Sequence, residues 1–335
     1  MNDVVTPERR GHVPVMPEAC LRELAVMPGQ IVCDCTAGGG GHLERFALAV
    51  GGGGRVIALD RDDRAFRDDA AGGVARRFSQ VTLLRHAFSE LPLALGSQGL
   101  TTVDVVFADL GVSSFQLDEG ERGFSFQQDA PLDMRMDRSR GETAAELIAR
   151  LDDDELADVI YLYGEERQSR RIARSLKRHA PQTTSQLKDA VVAATGPARG
   201  RIHPATKTFQ ALRIAVNGEL DELKALLAVL PDVLKQGGRA GFLTFHSLED
   251  RLVKHAFKAA GFHPTTKKPV IADEAETDEN PRSRSAKLRV AVFDPSRPAG
   301  KQPRYRKDDH SDDSSDSDDS DDSNDSDEEG AEDRQ

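Results

Sequence analysis

The chain has 335 residues, of which 38% are hydrophobic and 30% charged, so it can bury a full core as one large domain with an insertion or as two domains. It contains no apolar run of the ~20 residues that a membrane span requires, and its first ten residues lack the apolar core of a signal peptide. These features exclude a helical membrane protein and predict a cytoplasmic one.

The formal net charge of −12 comes from one end of the chain. Residues 308–335 contain twelve Asp, three Glu and one Arg, a charge of −14, whereas residues 1–307 carry 44 basic and 42 acidic groups. An acidic Ser/Asp segment cannot bury enough apolar surface to fold, so we predict a disordered tail after a nearly neutral folded body. A solvating role for this tail is favoured over a regulatory one.

A short amphipathic helix is predicted within residues 12–28, followed by a first strand at about Gln30–Cys35. Two of the three cysteines, Cys33 and Cys35, flank Asp34 on this strand, too close in an extended chain for an easy disulfide. We therefore predict that these cysteines and Cys20 are buried thiols and that the chain has no metal site.

A glycine-rich loop follows the first strand. Asp34, Gly38 and Gly40 form the pattern D-x-x-x-G-x-G. The dinucleotide fingerprint G-x-G-x-x-G fails here, because Leu43 stands where its last glycine is needed. Glycines between a strand and the next helix let backbone N–H groups approach a ligand, so the pattern predicts a ligand-binding loop.

An aspartate closes the second predicted strand, Arg55–Asp60, about 20 residues after the loop. In an open α/β sheet this position presents a carboxylate to ribose hydroxyls. The loop and Asp60 together predict a nucleoside site. A tight glycine turn with an ordinary strand-end aspartate is the alternative at this point.

Two further strands place side chains at the same edge. Val81–Leu84 leads to Phe88, which we expect to pack either on an adenine ring or in the core. Val103–Asp109 is apolar and β-branched, which is typical of a strand buried on both faces, and Asp109 stands at its carboxyl end. The predicted fold class is therefore α/β, with a doubly wound, Rossmann-like sheet.

The next central strand, Arg239–Phe245, comes about 130 residues later, far more than an α/β repeat uses. Helical patterns fill the gap, including a capping box at Thr143 and Glu146. We predict four parts: a first core segment at 1–110, an inserted all-α subdomain at 111–204, a second core segment at 205–307 and the tail at 308–335.

One predicted helix of the insertion, Glu165–His179, is strongly basic. Its cations recur every three to four residues and align on one face, which suits a phosphate backbone. A solvated face paired with nearby glutamates is an equally weighted alternative. The residues concerned are Arg167, Arg170, Arg171, Arg174, Lys177 and Arg178.

Polar groups that can reach a substrate follow in the second core segment. A helix carrying Phe209, Leu212, Val216, Leu220 and Leu223 is predicted to return to the sheet, with Arg213, Asn217 and Glu219 on its other side. The strand that ends at Phe245 leads directly to His246 and Ser247, on the ligand side of the sheet. A simple helix cap would also explain Ser247. A last strand is predicted at Lys287–Phe293.

Taken together, these stretches resemble one family, the bacterial ribosomal RNA small-subunit methyltransferase H enzymes, also called MraW. The resemblance spans residues 12 to about 295 and is carried by long motifs in order. The matching segments are His12–Met16, Asp34–His42, Ala58–Asp62, Asp109–Asp118, Glu121–Phe126, Pro131–Asp137, Tyr163–Arg167, His203–Glu219, Phe245–Arg251 and Asn280–Ser285. Ala37, Gly39 and Gly218 depart from the common pattern, and the acidic tail has no counterpart.

The resemblance implies a class I methyltransferase that uses S-adenosylmethionine to methylate the exocyclic N4 of a cytidine in the decoding centre of 16S ribosomal RNA. It implies that the cofactor is bound by Gly40, Gly41, His42, Asp60, Phe88, Asp109 and Gln116. The partner would be 16S RNA or the small ribosomal subunit, without a membrane, and a homodimer is kept as an expectation to test.

The exocyclic amine of the cytosine loses a proton when it is methylated. Two residues are candidates for accepting this proton, Asp109 first and His246 second. An equally weighted role for Asp109 is to orient the amino group of the cofactor. Arg167, Arg170, Arg171, Arg174, Asn217 and Ser247 are the predicted substrate contacts. Three alternative functions stay open at this stage: a nicotinamide-dependent dehydrogenase, a methyltransferase of DNA or another RNA, and a non-catalytic ribosome-assembly factor that binds the cofactor.

Overall fold

A computed structural model describes residues 14–197, 200 and 203–297. The predicted acidic tail at 308–335 and the first two residues of the predicted entry segment lie outside this part of the chain.

The centre of the fold is an eight-stranded sheet with the order β3-β2-β1-β4-β5-β8-β6, and β7 also pairs with β8. The five strands from β3 to β5 are parallel, while β8 runs antiparallel to its three neighbours. The strands are β1 (Ile31–Asp34), β2 (Arg55–Asp60), β3 (Val81–Arg85), β4 (Val103–Asp109), β5 (Leu234–Thr244), β6 (Phe262–Pro264), β7 (Val270–Ile271) and β8 (Lys287–Phe293).

Both faces of the parallel strands are buried, which explains their unbroken apolar sequences. Neighbouring residues point to opposite faces, so Val106 enters one core and Phe107 the other. Helices cover each face. The helices are α1 (Pro17–Leu24), α2 (Gly41–Val50), α3 (Ala71–Arg77), α4 (Leu91–Ser97), α5 (Ser114–Asp118), α6 (Ala144–Arg150), α7 (Asp153–Gly164), α8 (Ser169–His179), α9 (Thr184–Thr195), α10 (Ala205–Asn217), α11 (Glu219–Val233), α12 (Ser247–Ala256) and α13 (Glu274–Glu279).

The helices form two layers, one on each face of the sheet, because their apolar side chains pack against it. Helices α1, α2 and α3 pack on one face of the sheet through residues such as Leu24, Phe46 and Val74. Helices α4, α11 and α12 pack on the other face. The Rossmann-like α/β class predicted from the sequence is therefore confirmed.

The segment between β4 and β5 has a hydrophobic core of its own, built mainly by α6 to α10. The predicted capping box is present, because the Thr143 hydroxyl accepts from the Glu146 N–H and the Glu146 carboxylate accepts from the Thr143 N–H. The predicted bounds of the four parts stay a prediction.

Two predicted helices are wrong in extent. The single helix expected to carry Phe209 and Leu223 is two helices, because Gly218 takes a left-handed φ of 59° and ends α10. Phe209 and Leu212 consequently pack in the core of the helical segment, while Leu223 packs under the sheet.

The basic helix begins only at Ser169, since Glu165 has a φ of 48° and closes α7. Arg167 therefore lies in the turn before α8. Residues 63–77 form a short 3-10 turn at Asp63–Phe66 and then α3. Within the described ranges no helix is long and apolar enough to cross a membrane.

Candidate active site

A cavity of about 350 Å³ opens at the carboxyl ends of β1, β2 and β4. This is the edge where an open parallel sheet binds its ligands. All seven residues predicted to contact the cofactor line this one cavity, namely Gly40, Gly41, His42, Asp60, Phe88, Asp109 and Gln116.

The glycines of the loop are required by their neighbours. A Cβ on Gly40 would lie 2.8 Å from Val74 Cγ2 and 3.0 Å from Ala71 Cα, and its φ of 83° is itself left-handed. A Cβ on Gly41 would lie 2.9 Å from the Pro14 ring. The loop thus keeps a thin backbone wall at the start of α2, between the cavity and the packed elements behind it.

Asp60 is held with both oxygens in place. Its Oδ2 accepts from the Gly38 N–H at 2.8 Å, and its Oδ1 accepts from the Asp62 N–H at 2.8 Å. Burial raises the pKa of Asp60 to about 6 in spite of these hydrogen bonds. Each carboxylate oxygen retains a second lone pair, so the group can accept hydrogen bonds from a ribose diol.

Asp109 lines the floor of the cavity and Asp34 ends the neighbouring strand β1, and both carboxyl groups lack a full set of partners. Burial, and then the charges of Asp34 and Glu249, raise the pKa of Asp109 to about 8. Burial also raises the pKa of Asp34 to about 7. Among the described residues, Oδ1 of Asp109 and Oδ2 of Asp34 have no hydrogen-bond partner. Such a pair would be stabilised by a cation bound beside it.

His42 closes this floor from the side of α2. Its Nε2 lies 3.7 Å from Asp109 Oδ2, and its ring centroid lies 4.8 Å from that of Phe107. Phe88 lies partly buried at the start of a short 3-10 turn, where it packs against the core below α4 and also lines the cavity. Both roles considered for Phe88 are thus compatible with its position.

A buried ion pair beneath the cavity was missed from the sequence. Arg122 donates to Asp62 Oδ2 at 2.8 Å and to the backbone carbonyls of Arg135 and Met136 at 3.1 and 3.0 Å. Gln116 donates to the same Asp62 oxygen at 2.8 Å and accepts from the Ser113 N–H. Arg122 and Asp62 join segments far apart in sequence, so no local pattern could reveal their pairing.

A second buried cluster lies beside Asp109 and was also missed in part. Arg213 donates through Nε and Nη2 to the two oxygens of Glu219, each at 2.8 Å. His246 Nε2 lies 3.1 Å from Glu249 Oε1. Glu219, His246 and Glu249 bring three potential ligand atoms within 4.8 Å of one another, and Arg213 supplies a cation to them. Arg213, Glu219 and Glu249 line the cavity.

The comparison with known proteins decides the family. Residues 9–293 match the model of the MraW methylase family. The chain belongs to this family. It is 51% identical over 293 residues to the ribosomal RNA small subunit methyltransferase H of Sorangium cellulosum, a match covering 85% of this chain and 92% of that protein. The protein of the same name in Acidobacterium capsulatum is 46% identical, and the match covers 85% of this chain and 99% of that protein. The one in Nostoc punctiforme is also 46% identical, and the match covers 84% of this chain and 93% of that protein.

The cofactor of this MraW methylase is S-adenosylmethionine, as predicted. The residues present fit it. The glycine loop and Asp60 suit a nucleoside, and the unpartnered oxygen of Asp109 at the cavity suits the positive charge of a sulfonium or an ammonium group. When bound, the cofactor supplies an activated methyl group.

Asn217 and Ser247, predicted as substrate contacts, are engaged by other parts of the methylase. The Asn217 amide accepts from the Met136 N–H and donates to the Met134 carbonyl, each at 2.8 Å. Ser247 Oγ donates to Glu165, which also accepts from Arg251 at 2.9 Å. Asn217 therefore joins α10 to residues 134–136, Ser247 joins the start of α12 to the end of α7, and the contact of both side chains with a substrate stays a prediction.

The predicted basic face is exposed on α8 and the turn before it, but Lys177 is engaged by other parts of the chain. Lys177 donates to the carbonyls of Ile148, Ala149 and Leu151 at 2.7 to 3.0 Å, which caps the end of α6. We name the remaining exposed group the arginine face; it consists of Arg167, Arg170, Arg171, Arg174 and Arg178.

The raised carboxyl pKa values predict that the methylase without cofactor loses stability as pH rises from about 5 to about 8. The folded-state pKa values of Asp34, Asp60 and Asp109, about 7, 6 and 8, lie above the ~3.9 of an unfolded aspartate. The native state therefore binds more protons in this window, and each carboxyl contributes a loss of about 1.4 kcal/mol per pH unit until it ionises.

Urea unfolding at a series of pH values measures this slope. Asp109→Asn should flatten the part between pH 7 and 8. A free energy of unfolding that rises over this range in the wild type would contradict the assignment.

Proposed function

We propose that this MraW methylase transfers the methyl group of S-adenosylmethionine to the exocyclic N4 of a cytidine in the decoding centre of 16S ribosomal RNA. The observation that carries the proposal is a cavity lined by the glycine loop, Asp60 and Asp109 in a chain 51% identical to a ribosomal RNA small subunit methyltransferase H. The names of the relatives support ribosomal RNA as substrate, while N4 and the decoding centre come from the family resemblance. The cytoplasmic location and the homodimer stay predictions.

The protein contributes to the reaction by holding the two reactants in alignment. Methyl transfer from a sulfonium needs an in-line approach by the nucleophile, and holding the reactants in place supplies a large part of the rate. The fixed Asp60 carboxylate would hold the ribose, and Asp109 would hold the positively charged end of the cofactor. Cytosine N4 is a poor nucleophile, so an acceptor for its proton is needed nearby.

The substrate base must leave its stack to reach the cavity. RNA would then lie across the surface outside the cavity, where a positively charged face can neutralise phosphates. The arginine face, which consists of four residues of α8 and Arg167 in the preceding turn, offers five exposed guanidinium groups for this purpose. A DNA or another RNA would use the same cofactor residues, and the assay below separates these substrates.

Methyl transfer is tested with labelled S-adenosylmethionine and small ribosomal subunits from cells that lack this protein, followed by nucleoside analysis. We expect labelled N4-methylcytidine in 16S RNA, with loss of activity in Asp109→Ala because the cofactor would no longer be held. Asp221→Asn is a matched control, since Asp221 is exposed on α11 and pairs with Lys224 three residues later in the same helix. Label in another nucleoside, or no label from a protein that binds the cofactor, would contradict the proposal.

The arginine face is tested by RNA binding at several salt concentrations. Changing Arg170, Arg171 and Arg174 together to Gln should weaken binding and lower the slope of log K against log[salt] by about 0.7 to 0.9 for each phosphate that the variant no longer neutralises. Cofactor affinity should not change, because these side chains lie on α8 and do not line the cavity.

A control variant changes the exposed arginines Arg22, Arg76 and Arg77, whose side chains are 64%, 56% and 58% accessible. Equal salt slopes for the two triple variants would show that the arginine face is an ordinary solvated surface.

A further inference from the structure

The buried cluster beside Asp109 contains a carboxylate that the predicted site does not use. Glu249 is 2% exposed, and it lines the cavity together with Phe245 and Arg213. Its Oε2 accepts from the Phe245 N–H at 2.8 Å, and its Oε1 faces His246 Nε2 at 3.1 Å. The carboxylate is thus fixed at the wall of the cavity and keeps lone pairs for a further donor.

We propose that Glu249 accepts the proton of the nucleobase amine during methyl transfer, with His246 and Arg213 as positioning residues. This inference rests on the proposed function and assigns a group within the same site. It gives His246 a different role from the proton acceptor expected from the sequence.

The reaction balances with this assignment. The lone pair of the amine nitrogen forms a bond to the methyl carbon while the bond from that carbon to sulfur breaks, and its electron pair stays on sulfur as a neutral thioether. The nitrogen then carries a positive charge and gives one proton to a Glu249 oxygen. This proton passes to water after the product leaves, which restores the carboxylate.

The charge state of the two neighbouring carboxyls favours Glu249 over Asp109 as the acceptor. Burial raises the pKa of both, but the contact with His246 and the charge of Arg213 bring the pKa of Glu249 below its usual value. Asp109 lacks such compensation, and its pKa of about 8 keeps it largely protonated at neutral pH until a cation binds. Its negative charge would then be engaged by that cation.

The position of His246 explains how it orients Glu249. His246 is the N-cap of α12, and its Nδ1 accepts from the Glu249 N–H at 3.4 Å. Because Nδ1 is an acceptor, a neutral ring carries its proton on Nε2, the atom that faces Glu249 Oε1. Both ring nitrogens of His246 therefore contact Glu249, Nδ1 at its backbone N–H and Nε2 at its Oε1, and together they fix the direction of that oxygen.

A purely structural role for Glu249, as a partner of the Phe245 backbone at the start of α12, is the competing explanation. Single-turnover methyl transfer to small subunits at saturating S-adenosylmethionine separates the two, with cofactor affinity and thermal unfolding measured for every variant. We expect Glu249→Gln to slow transfer by about 100-fold or more while the folded protein still binds cofactor. Glu249→Ala should be slow as well and should regain activity with added formate, which replaces the missing carboxylate.

Each outcome decides between the roles. A wild-type rate in Glu249→Gln overturns the proposal, and so does a folded Glu249→Ala protein that binds cofactor and is not rescued by formate. If Glu249→Gln does not fold, the formate test alone decides. Asp221→Asn, an exposed carboxylate on α11, should retain the wild-type rate. Failure of the proposed function would look different, because the wild type itself would then transfer no methyl group to the subunit.

Discussion

Two carboxyl groups without a counter-charge, at the carboxyl ends of β1 and β4, are the constraint on which this structure depends. A parallel sheet buries the backbone on both faces, so Asp34 and Asp109 leave water where their strands end. The apolar cores on either side supply no counter-charge to them. Unpaired carboxyls in such a place oppose stability, and they persist where a ligand compensates them.

Two other acidic groups around the cavity are compensated from within the chain. Arg122 neutralises Asp62, and Arg213 neutralises Glu219. Each pair also connects the sheet to the helical segment, since Arg122 reaches the backbone at Arg135 and Met136. The methylase thus provides its own cations around the rim of the site and leaves the floor for the cation of the cofactor. The same division of charge leaves Glu249 ionised next to a protonated Asp109.

Local signals in the sequence predicted the sheet and the cofactor-binding edge well. The bounds predicted for β2, β4 and β8 and the capping box at Thr143 and Glu146 are confirmed, because strand composition and a capping box are decided within a few residues. The glycine loop and Asp60 were found for the same reason. The comparison with relatives confirms the family and the cofactor.

Features that depend on distant partners could not be predicted. Arg122 and Asp62 lie 60 positions apart, so their pairing has no sequence pattern. Lys177 fits a basic stripe by spacing, yet it caps another helix because α8 crosses the end of α6. Gly218 shows a related limit, since the apolar spacing continues across a left-handed residue that breaks the helix. Helical periodicity alone carries no information about such a break.

The central claim is that the floor of the cavity binds a cation and releases a proton when it does so. Calorimetric titration near pH 7.5, in two buffers of different ionisation enthalpy, measures the protons released on binding of S-adenosylmethionine and of S-adenosylhomocysteine, which lacks the sulfonium charge. The account predicts greater proton release with S-adenosylmethionine, because the sulfonium favours the ionised form of Asp109, and no such difference in Asp109→Asn. Equal proton release with the two ligands in the wild type would contradict it.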